Sequence, residues 1–372
     1  MASRFPYSTA PGPGPGVPWS RRPRATVPDA FAAGTPPVAM AHEPVTHTKT
    51  AHRLGRRPSG AAVETAVHRY EGGAGPTVYV GAAQHGIELN GPVVARRLHG
   101  RLSGAELAGS VVVVPVANPP AFDHRSYLTP GAYDARNGNL NRVWPGDENG
   151  SLGERVAARL WDLVAEADAV VDLHTGSREM LEHVRFREGS EARALAAAFG
   201  TGYLLADPVD PDAGESGKLR AAAERADTPA VTAELSNSRT VSHEAVEAGV
   251  DGVLNVLREL DLLADSPPDS TATVLRDDLE GVVAAEAGLF ESRRALGVGD
   301  RVGAGEELGA VYCPRSSSAG RRSPPEPRES STRWPPVAPS TRANDWPRSR
   351  RPADTDTAGC NYVKQFRPGE CT

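Results

Sequence analysis

The chain is predicted to fold as α/β, a sheet flanked by helices, on three features of its sequence. Short apolar runs alternate with longer segments whose apolar residues recur every three or four positions, the pattern of strands and covering helices. The runs are mostly continuous rather than alternating, as expected of strands buried on both faces. Polar residues able to hold a metal stand at the ends of two of these runs, where α/β sheets collect their chemistry.

Residues 1–55 are rich in Pro, Gly, Ala and Arg, as in Pro11-Gly12-Pro13-Gly14-Pro15-Gly16. They show no sustained hydrophobic period, so a disordered extension is expected there, with Met40 an alternative start. The domain expected over 56–263 begins with a strand at Thr77–Ala82, a helix at Pro92–Leu102 and a strand at Val111–Val116. A helix at Leu152–Ala165 follows, opened by Ser151 and Glu154 at the spacing of a capping box. Then come a strand at Ala169–Leu173, a helix at Ala192–Phe199 and a strand at Tyr203–Ala206. A helix at Leu219–Arg225, a strand at Val231–Leu235 and a helix at Glu244–Leu260 complete the alternation. Ala264-Asp265-Ser266-Pro267-Pro268-Asp269 reads as a linker. Beyond it, Gly288-Leu289-Phe290, Leu296–Val302 and Gly305–Gly309 read as short strands of a partial small β domain over 264–312. That segment has no lysine, which excludes a lysine-linked carrier role. The residues from 313 to 372 turn abruptly to Arg, Ser and Pro, and are expected to be disordered or read from a shifted frame. A β domain cut there would carry unpaired edges.

Composition narrows the functional classes. A net charge of −6 over 372 residues lacks the basic excess of a nucleic-acid-binding surface. No run of eighteen apolar residues is present, so no membrane span is expected, and the start lacks a signal-peptide pattern. A cytoplasmic location is the resulting expectation, with a homo-oligomer left open. The three cysteines, Cys313, Cys360 and Cys371, all fall at or beyond the start of the tail, away from the candidate site.

Two segments carry the chemistry. His85-Gly86-Ile87-Glu88 follows the first apolar run, and Asp172-Leu173-His174-Thr175-Gly176 ends another. A histidine and a glutamate three residues apart converge on one ion if the chain turns between them, which Gly86 permits. His174 would close a His, Glu, His set around zinc, leaving one position for water. Asp172 lies two residues before His174 on the same strand face and could orient a ligand imidazole. Asn141 and Arg142, after Gly138-Asn139-Leu140, present an amide beside a forked donor suited to a carboxylate, although ordinary turn punctuation would look the same. Glu234 ends the run from Ala230 and should emerge at the carboxyl edge as a general base, or pair with Arg239 at the surface. A further cation is needed for the oxyanion, and Arg125 and Arg136 are the candidates, Arg125 preferred. His183 is a further pocket candidate, but it reads rather as a strand histidine with a local partner.

These pieces resemble the succinylglutamate desuccinylase and aspartoacylase family, zinc hydrolases related to the zinc carboxypeptidases. The matching segments are Gln84-His85-Gly86-Ile87-Glu88-Leu89-Asn90-Gly91-Pro92, Val114-Pro115-Val116-Ala117-Asn118-Pro119 and Asn139-Leu140-Asn141-Arg142-Val143-Trp144-Pro145-Gly146. With them go Asp172-Leu173-His174-Thr175-Gly176 and Ala233-Glu234-Leu235, the resemblance spanning roughly residues 55 to 312. It implies a zinc-carboxypeptidase-like mixed sheet with a small β domain appended, and one zinc ion on His85, Glu88 and His174. It also implies a substrate carboxylate held by Asn141 and Arg142, and Glu234 as general base. The family usually places glycine after this glutamate, whereas Leu235-Ser236-Asn237-Ser238 follows here. The implied activity is hydrolysis of the amide of a small N-acyl amino acid. Two alternatives stay open: a metallocarboxypeptidase acting on short peptides, and a non-catalytic homologue.

Overall fold

In the computed structural model, residues 41–176, 180–208 and 217–276 are described, together with 282–284, 287–294, 296–303 and 305–314. The alternative start at Met40, the extension before it and nearly all of the expected tail lie outside the described residues.

The strands in chain order are β1 (Glu43–Pro44), β2 (Thr46–Arg56), β3 (Ala62–Glu71), β4 (Thr77–Ala82), β5 (Glu106–Leu107) and β6 (Ser110–Val114). They continue with β7 (Ala169–Gly176), β8 (His183–Arg187), β9 (Tyr203–Asp207), β10 (Ala230–Asn237), β11 (Thr273–Arg276), β12 (Leu289–Ser292) and β13 (Gly309–Tyr312). Helices are α1 (Asn90–Leu102), α2 (Pro119–Asp123), α3 (Leu152–Val164), α4 (Ala192–Phe199), α5 (Leu219–Arg225) and α6 (His243–Glu259). Among the described residues, nine strands make one sheet in the order β11-β9-β8-β10-β7-β4-β6-β3-β2. Its centre, β10, β7, β4 and β6, is parallel. On the outer sides β8 opposes β10 and β3 opposes β6, so the sheet is mixed.

Side-chain alternation divides the buried residues between two faces. Val78 and Val80 of β4, Val171 and Leu173 of β7, and Val231, Ala233 and Leu235 of β10 pack with α1, α4 and α6. Tyr79, Val170 and Ala230 point the other way, into a layer with α3, α5 and Trp144. Because the strand period is two, Asp172, His174 and Glu234 share this second face. The expected capping box opens α3: Ser151 Oγ accepts from the Glu154 amide, and Glu154 accepts from the Ser151 amide at 2.7 Å.

Three expectations are corrected. Residues 41–55 are not all extension, because β2 pairs antiparallel with β3 along its length and forms the sheet edge. Its sequence, THTKTAHRLGR, shows little apolar pattern because an edge strand buries little, and only Leu54 within it is fully buried. The boundary at residue 263 is also too early, since β11 pairs parallel with β9 and extends the main sheet. Finally, Leu296–Val302 forms turns rather than a strand, and β12 pairs instead with β13, which begins where Gly305–Gly309 was expected to end. Among the described residues, no helix is long and apolar enough to cross a membrane.

Candidate metal centre

His85 follows β4, and His174 lies on β7, the neighbouring parallel strand. Nδ1 of His85 sits 2.7 Å from one oxygen of Glu88, and Nδ1 of His174 sits 3.0 Å from the other. All three side chains are buried, and their ligand atoms lie within 4.8 Å of one another. Gly86 makes the approach possible by its lack of a side chain: a Cβ there would fall on the carbonyl of Ala121 and 2.5 Å from the Phe122 nitrogen. The glycine therefore serves close packing of the ligand loop onto the start of α2, not an unusual backbone angle.

The other nitrogen of each ring is tied to a separate partner. Nε2 of His85 lies 3.1 Å from Asn139 Oδ1, and Nε2 of His174 lies 2.9 Å from Asp172 Oδ2. With the proton on Nε2 in each ring, both Nδ1 atoms are left as lone-pair donors facing Glu88. The support continues outward: Gln84 Nε2 donates to the same Asp172 oxygen at 2.7 Å, and Trp144 Nε1 donates to Gln84 Oε1 at 2.8 Å. The expected alignment of Asp172 with His174 is thus present, held from behind by a buried tryptophan.

Electrostatics follow from this packing. Burial alone would raise the Glu88 pKa, but the charges and hydrogen bonds of His85 and His174 outweigh it and hold the carboxyl at about 2. Burial would likewise lower the His174 pKa, yet Asp172 and Glu88 raise it well above its ordinary value.

The remaining predicted residues fall into two groups. Glu234 is the pairing partner of His174 across β10 and β7, so its carboxylate stands beside the triad on the same face. Ser236, just beyond it, has φ +57°, and the register with β7 shifts between Glu234 and Asn237. Leu235 stands where the resembled family usually places glycine, and the positive φ falls on the residue after it. Asn141 brings Nδ2 to 3.4 Å from His174 Nε2, while its Oδ1 accepts from the Leu219 amide at 2.9 Å. Arg142 is exposed and donates to the Asn141 carbonyl at 2.7 Å. Arg125 and Arg136 make contacts of their own. The guanidinium of Arg125 lies over the Phe122 ring at 5.0 Å, and Arg136 contributes a backbone amide to the Asp134 turn. His183 keeps its local partner, with Nδ1 2.9 Å from the Leu181 carbonyl.

Two residues near the site were not singled out from sequence. Tyr127 stacks on His85, with ring centroids 4.1 Å apart and planes within 14°, and fixes the imidazole plane. Burial, then the charge of Glu88, raises its pKa, so the hydroxyl keeps its proton near neutrality; Arg142 and Glu234 also lie within charge reach of it. Lys218 is the second: burial, then Arg185, lowers its pKa, and Arg142 contributes to the same cationic surroundings. A tyrosine two residues beyond Arg125 and one of the chain's few lysines were the available signals.

A mixed α/β sheet with a buried His, Glu, His group at the carboxyl ends of its central parallel strands defines a protein built around a candidate metal centre. Residues 74–260 match the succinylglutamate desuccinylase/aspartoacylase catalytic domain. The chain belongs to that family. It is 32% identical over 254 residues to the N-alpha-acetyl-L-2,4-diaminobutyric acid deacetylase of Halomonas elongata, covering 64% of this chain and 71% of that protein. A succinylglutamate desuccinylase/aspartoacylase from Rhodobacter sphaeroides superposes with a TM-score of 0.63 at 25% identity, over 76% of this chain and 87% of that one. The product-bound ectoine utilization protein EutE (DoeB) from Ruegeria pomeroyi gives a TM-score of 0.63 at 25% identity, over 76% and 88%.

Proposed function

We propose that this chain is a zinc-dependent deacylase that hydrolyses the amide of an N-acyl amino acid or a similar small carboxylate. The observation carrying the reading is that two buried imidazoles both direct Nδ1 at one carboxylate, with their Nε2 atoms held elsewhere. Two nitrogens and a carboxylate oxygen fit the donor set of a catalytic zinc with one position left for solvent. When bound, zinc supplies an acidified water and polarises the substrate carbonyl.

The protein's own groups divide the rest of the work. Glu234, beside His174, takes the proton from the attacking water and delivers it to the leaving amine. Asn141 and Arg142 anchor the substrate carboxylate, the amide nitrogen of Asn141 lying 3.4 Å from His174 Nε2 beside the triad. Arg125 is assigned to the oxyanion in preference to Arg136, because its loop also carries Tyr127 against His85. We assign the catalytic domain to the whole of the main sheet, from β2 to β11, rather than to 56–263.

The relationship to the Halomonas enzyme makes N-alpha-acetyl-L-2,4-diaminobutyrate the first substrate to test, followed by other N-acyl amino acids and by dipeptides. Zinc-loaded protein is expected to release the acyl group from at least one N-acyl amino acid faster than it cleaves any dipeptide. Turnover of dipeptides alone would make it a carboxypeptidase, and no zinc bound after reconstitution would reject the assignment.

A further inference from the structure

A second cluster of metal-binding side chains lies outside the deacylase site, at the edge of the sheet. His47 on β2, His68 on β3 and His99 in the last turn of α1 place one ligand nitrogen each within 4.8 Å of the others. Three different elements supply them. His47 pairs with Tyr70 and Lys49 with His68 in the β2–β3 ladder, so both histidines rise from the same face. Tyr70 is buried in the layer that α1 covers, which brings His99 over the pair.

The spacing of the nitrogens suits a shared cation. Nε2 of His47 and Nδ1 of His68 face each other at 3.1 Å. Two ligands about 2.05 Å from a tetrahedral zinc stand roughly 3.3 Å apart, so these two nitrogens are already spaced for one cation. The His99 ring meets that of His47 edge-on, with centroids 4.7 Å apart and planes at 60°. The hydroxyls of Tyr70 and Ser103 lie 3.0 and 3.1 Å from Nδ1 of His99, a polar support of the kind that orients metal-ligating imidazoles. Burial first, then the charge of a neighbouring histidine and of Lys49, lowers the pKa of His47 and of His68, which keeps those lone pairs available at neutral pH. His99 is exposed and the other two are partly so, which gives an ion access and leaves room for solvent as a fourth ligand. A cation here also lies by the carboxyl end of α1, where the helix dipole favours positive charge.

We propose that His47, His68 and His99 form a second metal site that takes zinc or a similar borderline divalent transition cation and clips the β2–β3 edge to α1. Imidazole-only donors suit zinc, nickel and copper(II), and exclude calcium and magnesium, which want oxygen. The site is separate from the deacylase centre: His99 is nine residues beyond Asn90, where α1 begins, or on the order of 14 Å along the helix. Its role is structural, and it stands or falls independently of the assigned activity.

The test is metal stoichiometry on the full-length, chelator-stripped protein, titrated with Zn2+ and, in parallel, with Co2+ followed by visible absorption. The unmodified protein is expected to take two equivalents. His47→Gln and His99→Gln should each take one, with deacylase turnover retained and the zinc-dependent rise in melting temperature reduced. A second equivalent that survives in both variants belongs to other donors, such as the cysteines, and overturns the proposal. So does a stoichiometry of one that neither variant changes. If a variant misfolds by circular dichroism, the cobalt spectrum of the unmodified protein decides. A second equivalent with nitrogen-ligand bands and no thiolate charge-transfer band supports the site, and either a thiolate band on that equivalent or its absence rejects it.

Discussion

Gly86→Ala tests whether the ligand loop depends on close packing. The added methyl would fall on the carbonyl of Ala121 and 2.5 Å from the Phe122 nitrogen, against an optimal contact of about 3.5–4.0 Å. These are backbone atoms, so no side chain can turn aside, and the loop or the start of α2 must move by about 1 Å or more. Overpacking of this kind costs about 1–3 kcal/mol in stability. The larger effect is on the site, because metal ligands tolerate displacements of only about 0.2 Å, and a 1 Å misplacement of catalytic groups costs about a hundredfold in rate. Gly100→Ala supplies the control on the neighbouring helix: nothing lies within 4 Å of its Cβ position. Replacing a helical glycine there should stabilise the protein by up to about 1 kcal/mol. Zinc content, melting temperature and deacylase turnover would be measured on both variants. Gly86→Ala is expected to lose metal or turnover while Gly100→Ala keeps both. Full zinc occupancy and unchanged turnover in Gly86→Ala would refute the packing argument.

Other outcomes follow from the same geometry. Glu234→Gln should keep its zinc but lose about a hundredfold or more in kcat, as expected of a general base, and equal turnover would move that role elsewhere. Arg142→Ala should raise KM with little change in kcat, because an anchor contacts ground and transition states alike; steady-state kinetics showing the reverse would contradict it. The raised pKa of His174 gives a pH dependence. Its ion pairs with Asp172 and Glu88 stabilise the metal-free protein fully below about 6.5 and are lost as pH rises through the folded-state value. Zinc requires the neutral ring, so uptake at pH 7 should release protons and strengthen with rising pH. Calorimetry in buffers of different ionisation enthalpy would count those protons, and a count of zero would contradict the coupling.

Much of this arrangement is legible in the sequence, for identifiable reasons. His85, Glu88 and His174 stand at the ends of continuous apolar runs, and parallel strands bring such ends together. The placement of Asp172 on the face of His174 follows from the period of two, whereas that of Glu234 depends also on the register of β10 against β7. β3 was legible in principle, since Val63, Thr65 and Val67 alternate with exposed or less buried neighbours, whereas β2 was not, because its edge position asks little apolar character of it. The stack of Tyr127 on His85 and the hydrogen bond from Trp144 to Gln84 join residues 42 and 60 positions apart with no periodic signal. The cluster at 47, 68 and 99 is hidden for the same reason, since no local spacing links three elements that meet only through the sheet and helix α1. Arg125 and Arg136 show the opposite limit: their residue type suggests a role, but the contacts they make do not by themselves reveal one.

The irregularity after Glu234 decides where this gene can change length. From Ala230 to Glu234, β10 keeps unbroken register with β7, so deleting one codon there would swing the carboxylate to the opposite side of the sheet, among α4 and α6. Beyond Glu234 the ladder is already interrupted, and Ser236 sits in a conformation that accommodates an extra residue. Insertions and deletions should therefore collect downstream of Glu234, the proposed base, where they alter the loop that follows without moving its carboxylate to the other face.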